Sequence, residues 1–369
     1  MNKAFLLPIV LLSMQSCAPQ RELNLLVGTY TKPGGSEGIY VYRFNTETAE
    51  FELKKVNKGI QDPSYLTLSP NQKFVYSVNE SGDNSTVSAF AYDALSAELK
   101  LLNKQPAGAD PCFIIADQHH VISANYSGGN ASVFGIQDDG SLSPLKQLVQ
   151  HSGKSVDEER QNGPHVHMVQ FSPDHKYVVM NDLGTDKVHL YAYQKDQAKA
   201  VLVPHDSVAV EPGSGPRILT FSKDGQYAYL IDEMFAGITV FEYHEGTLKK
   251  IQSTRMAADG ANAENGAAHI QISPDGKYLY ASNRGSENTI GIFAIGADGL
   301  LTKKEVMSSG GKGPRNFVID PSGKYLLVAQ QNSNNIVIFA RDQNTGALKD
   351  TGKRIEIAAP VCLVFSESK

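Results

Sequence analysis

A pattern that returns about every 50 residues constrains this chain more than any other feature. Each copy opens on Pro or a small residue and runs through an alternating segment. It then turns and enters a second alternating segment that ends, as a rule, in Asn or Asp. The clearest copies begin at Pro63 (PSYLTLSPNQKFVYSVN), Pro164 (PHVHMVQFSPDHKYVVMND), Pro216 (PRILTFSKDGQYAYLID), Ala268 (AHIQISPDGKYLYASN) and Pro314 (PRNFVIDPSGKYLLVAQ), and weaker ones begin at Pro111 and Pro360. Successive anchors lie 48, 53, 52, 52, 46 and 46 residues apart. Self-similarity at such a period marks solenoids and propellers.

Within each copy the runs alternate at period 2 and favour Tyr, Val, Ile and Phe, as strands do. Asp224-Gly225, Asp275-Gly276 and Ser322-Gly323 supply residues that accept the positive φ of tight hairpins. Two further runs follow in most copies, such as TIGIFAI (289–295) and LTKKEVM (301–307). Four strands in about 50 residues is the content of a propeller blade. The seventh anchor is followed by VCLVF alone, and three unpaired runs stand at the other end: LNLLVGTY (23–30), GIYVYRF (38–44) and FELKKV (51–56). The spacing therefore predicts an all-β fold, a seven-bladed propeller of four-stranded blades over residues 18–369. N-terminal strands paired with the C-terminal strand would close its ring and leave no open sheet edge. The chain has no Trp, which excludes blades built on a Trp-Asp signature. Residues 148–163 form a long polar insertion, a length that suggests a functional or mobile loop.

Lys and Arg total 34 against 39 Asp and Glu, for a net charge of -5, and no basic run occurs. This argues against nucleic acid as a partner. Residues 1–17 place one Lys before an apolar run too short to span a bilayer, and read as a cleaved export signal. The ending Met14-Gln15-Ser16-Cys17 has the form of a lipoprotein cleavage site, so the mature chain is expected to be periplasmic or membrane-anchored. A lipid on Cys17 would be its only membrane attachment; plain secretion would discard Cys17. Oligomeric state is left open. Cys112 and Cys362 sit in apolar runs, as buried free thiols do. Without CxxC spacing a Cys-based zinc site has no support, and neither cofactor nor metal is expected.

In a propeller the first strand of each blade lines the central channel, and the loop after the second strand lies near the same rim. The first-strand entries carry His165 and His167, Arg217, His269 and Arg315. The second-strand exits carry Asn79-Glu80, Asn125, Asn181-Asp182, Asp232-Glu233, Asn283-Arg284 and Gln330-Gln331. Such a set can recognise an anion beside a titratable base. His165 and His167 share a side if the segment is extended. No acidic third ligand stands at a telling spacing from them. The exit Asn and Asp have a commoner use as turn caps. Asn79, Asp182, His269, Asn283 and Arg315 are nonetheless candidate substrate contacts.

The stretches PHVHMVQFSPD, VMNDLGTDKVHLY, GPRILTFSKDGQYAYLIDE, ISPDGKYLYASNRG and GPRNFVIDPSGKYLLVA resemble the lactonase family of seven-bladed propellers. That family includes a bacterial type of 6-phosphogluconolactonase and a fungal 3-carboxy-cis,cis-muconate lactonizing enzyme. The resemblance covers nearly all of the chain after residue 17. It implies a carboxylic ester hydrolase acting on a small-molecule lactone or sugar acid, with 6-phosphogluconolactone the first candidate. It also implies a site on His165 or His167, Arg217, Glu233 and Arg284. Two positions depart from the family pattern: Asp232 stands where Asn is expected, and Ile218 where His often follows Gly-Pro-Arg. No GxSxG elbow is present, which argues against a covalent acyl-enzyme. The same residues would also suit a non-catalytic periplasmic or surface propeller that binds an acidic ligand or protein, or a cycloisomerase of the muconate type.

Overall fold

A computed structural model describes residues 22–369 apart from 33 and 257–263. The export signal and Cys17 lie outside the described residues. Among these, 28 strands form seven antiparallel four-stranded sheets. One 3-10 turn, Gly82–Asn84, is the other element, and no helix is long and apolar enough to cross a membrane.

The ring closes as the unpaired terminal runs predict. In blade 1 the innermost strand is Pro360–Glu367, which pairs antiparallel with Glu22–Thr29; Gly38–Asn45 and Phe51–Lys58 lie outside it. Leu25 opposes Phe365 and Val27 opposes Leu363. The chain's last strand thus sits at the axis of a sheet begun by its first. The other six blades run outward in sequence order from Leu66–Leu68, Pro111–Ala116, Val166–Phe171, Pro216–Phe221, Ala267–Ile272 and Pro314–Ile319.

Burial follows distance from the axis. Second strands such as Tyr227–Asp232 are buried on both faces after their first residue, because each blade is covered by a neighbour on either side. Outermost strands such as Leu301–Ser308 are mostly exposed. Sheets covered on both faces want apolar residues at successive positions, and the second strands (YAYLI, YLYAS, YLLVA) supply them.

Four of the seven blade-to-blade joints share one recurring contact. The outer hairpins of blades 3, 5, 6 and 7 turn on Gly140, Gly246, Gly299 and Gly346, with φ of 84°, 79°, 74° and 76°. Each glycine lies flat on a ring of the preceding blade: Phe74, Tyr177, Tyr227 and Tyr278. A Cβ at any of them would meet that ring at 2.2–2.5 Å. Two residues on, Tyr76, Tyr229 and Tyr280 donate hydroxyl hydrogen bonds to the carbonyls of Gly140, Gly299 and Gly346 at 3.1, 3.0 and 2.7 Å.

Gly299→Ala therefore combines an unfavourable φ with overpacking on Tyr227. It is expected to cost about 2–4 kcal/mol, read as a fall in the urea midpoint. At Gly352, with φ 77°, a Cβ would project into open space with no atom within 4 Å, and Gly352→Ala should cost only about 1 kcal/mol.

Candidate active site

The channel residues owe their placement to β-bulges. Between the inner and second strands the pairing skips a residue at the same point in most blades. It passes from Pro111 to Phe113, Val166 to Met168, Pro216 to Ile218 and Pro314 to Asn316. The residues left out of the ladder are Cys112, His167, Arg217 and Arg315. A bulge re-aims a side chain that regular pleating would hold in the sheet face. It also breaks the simple i, i+2 equivalence expected of His165 and His167, because His167 has left the ladder.

Glu233 is the centre of the charge arrangement. It follows the second strand of blade 5, is 7% exposed and forms ion pairs with three guanidinium groups, of which Arg217 and Arg160 donate hydrogen bonds to it. Arg217 Nε lies 2.7 Å from its Oε2, Arg284 Nη2 lies 3.1 Å from the same oxygen, and Arg160 Nη2 lies 2.7 Å from Oε1. Burial pushes the carboxyl up, but Arg284 and Arg217 outweigh it and hold the group well below the usual range. Arg217 is 3% exposed and also donates to the Ala268 carbonyl. Arg284 donates through Nε to the Gly266 carbonyl at 2.7 Å.

His167 stands beside this group, 5% exposed. Burial first, then the Arg217 charge, push its imidazole well below the ordinary value, so it is neutral at pH 7. Its Nδ1 lies 3.7 Å from Cys112 Sγ, while its Nε2 has no hydrogen-bond partner among the described residues. The Tyr126 ring organises both histidines: His165 stacks on it at 4.5 Å and His167 meets it edge-on at 5.5 Å. Tyr126 also receives a hydrogen bond from Arg160 at 3.3 Å. Cys112 and Cys362 are both free and buried.

A second cation sits apart from Glu233. Arg315 donates to the Tyr30 hydroxyl at 3.0 Å, and Tyr30 donates to both oxygens of Glu80 at 3.1 Å. Burial pushes the Glu80 carboxyl up, against the pull of Arg315. The mouth thus holds four guanidinium groups against two carboxylates, an excess of two positive charges. His269 packs edge-on against Phe317 at 4.9 Å, and burial and Arg217 push it down to about 3.

The structure divides each second-strand exit into two roles. The last residue of the second strand stays within the blade, and in blade 4 that residue is Asp182, so Asn181-Asp182 is one place out of register with the other pairs. Asn79 donates to the Gln61 carbonyl at 2.8 Å and Asn283 accepts from Gly266 N–H at 3.0 Å. Asp182 accepts backbone N–H groups of His165, Gly184 and Thr185. Asn79, Asp182 and Asn283 are therefore engaged in turn and blade packing. It is the following residue, as in Glu80, Tyr126, Glu233 and Arg284, that joins the polar cluster. Tyr126 and Tyr30 are new to the site, though they occupy that same repeat position. Arg160 comes from the 148–163 insertion, where only loop length signalled a role. A groove of about 900 Å³ at the opposite rim, lined by Asp117, His119, Asp174 and His175, contains none of the predicted residues.

The family model for the seven-bladed β-propeller lactonases matches residues 24–365. A 6-phosphogluconolactonase of Bacillus subtilis is 35% identical over 346 residues, covering 92% of this chain and 97% of that one. The solved structure of a Bacteroides fragilis protein superposes with a TM-score of 0.90 at 45% identity, covering 94% and 98% of the two chains. A periplasmic gluconolactonase of Pseudomonas aeruginosa superposes with a TM-score of 0.89 at 35% identity, covering 94% and 100%.

Removing the charge of Glu233 leaves Arg217 buried without its counter-ion. Glu233→Gln is expected to lower stability at pH 7 by about 3–5 kcal/mol. Because the folded carboxyl is depressed, its contribution is complete above the unfolded value near 4.5 and declines below it. Urea midpoints of the two proteins should therefore converge as pH falls from 6 to 3.

Proposed function

The chain belongs to the lactonase family of seven-bladed β-propellers, and on that premise we propose that it hydrolyses a sugar lactone at the channel mouth. The observation that supports this reading is a neutral, buried His167 beside a carboxylate ringed by three arginines. A water gives a proton to His167 Nε2 as its oxygen attacks the lactone carbonyl. The tetrahedral oxyanion draws on the guanidinium groups of Arg217 and Arg284, whose positions Glu233 fixes. The ring C–O bond then breaks, the alkoxide takes the proton from His167, and the new carboxyl group gives its remaining proton to solvent as the sugar acid leaves. Arg315 offers a separate seat for a phosphate or hydroxyl group at the other end of the substrate.

6-Phosphogluconolactone is the first candidate, because a relative of that name covers nearly the whole chain. An unphosphorylated gluconolactone is the second reading. It is favoured by the export-type residues 1–17 and by the likeness to a periplasmic gluconolactonase, since phosphorylated sugars belong to the cytoplasm. The two are separated by measuring kcat/KM for both lactones on freshly prepared substrate. His167→Ala is expected to lower kcat by about 10²–10⁴-fold. Arg315→Ala should raise KM for the phosphorylated lactone and leave the unphosphorylated one little changed. No turnover of either lactone by folded protein would reject hydrolysis in favour of an acid-binding propeller.

The pH profile gives an independent check. A base whose pKa is pushed down stays competent into acid, so the enzyme-dependent rate should hold level from pH 8 to below pH 6.5. An acid limb centred near 6.5 would remove His167 from the role.

A further inference from the structure

A second group of ligating side chains lies outside the channel. His151, Asp182 and His189 each offer one ligand atom, and these atoms lie within 4.8 Å of one another. They come from separate elements: His151 follows the outer strand of blade 3 (Leu142–Gln150), Asp182 ends the second strand of blade 4 (Tyr177–Asp182), and His189 lies in its third strand (Lys187–Tyr193). His151 and Asp182 are buried, at 6% and 0% exposure. The His189 ring rests 4.2 Å from that of His151, and its Nε2 is buried with no hydrogen-bond partner. A buried imidazole nitrogen without a partner calls for a ligand.

We propose that His151, Asp182 and His189 bind one divalent cation of the zinc class, with two imidazole nitrogens, one carboxylate oxygen and a fourth position for water. Imidazole and carboxylate donors suit Zn²⁺. The surroundings already orient the donors as metal sites require. Asp182 Oδ1 accepts from three backbone N–H groups, those of His165 (2.8 Å), Gly184 (3.1 Å) and Thr185 (3.2 Å). Its Oδ2 is left facing His151 Nδ1 at 2.9 Å. His151 Nε2 lies 3.0 Å from the Tyr191 hydroxyl, which can accept its N–H once Nδ1 takes the metal. Ligand atoms about 2.0–2.1 Å from a tetrahedral ion stand about 3.3 Å apart. The His151–Asp182 pair would open by a few tenths of an ångström and His189 would close on it. His151 begins the insertion that carries Arg160, and Asp182 holds the backbone of His165. A cation here would tie that loop to the channel entry of blade 4.

The test is titration of the chelator-treated full chain with Zn²⁺ and Co²⁺. One equivalent of Zn²⁺ should bind and raise the thermal midpoint by a few degrees. Co²⁺ should give the intense visible absorption of a four-coordinate site. His189→Ala, checked for folding by circular dichroism, should weaken Zn²⁺ affinity at least 10-fold, with His189→Gln as the second variant. Unchanged affinity in a folded His189 variant overturns the proposal, because the ion is then held elsewhere. So does a wild-type protein that binds no stoichiometric metal. Should neither variant fold, the wild-type Co²⁺ spectrum decides: a pale six-coordinate signal overturns the site.

Discussion

An aromatic ring of one blade resting on a glycine of the next is the contact that spaces four of the seven joints of the ring. No side chain intervenes at Gly140, Gly246, Gly299 or Gly346, so the outer hairpin approaches the neighbouring second strand as closely as backbone allows. The tyrosine hydroxyls two residues along then fix the sliding of one blade on another. Blade stagger decides where the inner strands converge, and hence which entry residues face one another across the channel. Between blades 7 and 1 the same function falls to a different pair. Tyr325 donates to the Glu47 carbonyl at 2.9 Å, near Ala49 at φ 54°. The closing joint thus reproduces the contact with substituted residues.

Within that frame Glu233 resolves a conflict between stability and function. Buried guanidinium groups are costly unless paired. One carboxylate serves buried Arg217, partly buried Arg284 and exposed Arg160 at once, which holds the three cations in place without neutralising them. Adding Arg315 and Glu80 leaves the mouth positive overall. The deficit of negative charge is a feature of a site that expects an anion, whether in the substrate or developing on the lactone carbonyl. The same positive field, with burial, keeps His167 neutral, so the base and the oxyanion stabilisers of the proposed hydrolysis would be prepared by one arrangement.

The repeat made the fold legible. Period-2 runs, turn dipeptides and the seven anchors locate the blades, and three surplus N-terminal runs reveal the closure. The site was partly legible for the same reason, because the entry positions of His167, Arg217 and Arg315 recur in register. The bulge was not visible, since nothing in PHVH or GPRI distinguishes a residue in the ladder from one beside it. Nor could spacing choose between the members of Asp232-Glu233 or Asn283-Arg284; only the strand's pleat keeps the first within the blade and turns the second to the charge cluster. Arg160 belongs to no repeat, so periodicity carries no information about it. Its place depends on Gln161, which is fully buried and donates to the Leu183 carbonyl at 2.8 Å. The His151–Asp182–His189 group was invisible for a related reason, as its members are joined by blade packing rather than by spacing.

A pseudo-symmetric scaffold can hold an asymmetric site because the two positions that face the mouth are decoupled from those that build the blade. At the entries the bulged residue has left the ladder, so Cys112, His167, Arg217 and Arg315 occupy equivalent places with no shared structural demand. At the exits the chain is held by Asn79, Asn125, Asp182 or Asn283, while the next residue varies from Glu80 to Tyr126 and Arg284. Polar specialisation is therefore concentrated in blades 4 to 7, with His167, Arg217, Glu233, Arg284 and Arg315, and blades 1 to 3 contribute Tyr30, Glu80, Cys112 and Tyr126. Substitution at one of these positions alters the charge or shape of the mouth without touching the glycine contacts that space the blades. The substrate of such a propeller is accordingly set by few residues, and the fold by many others.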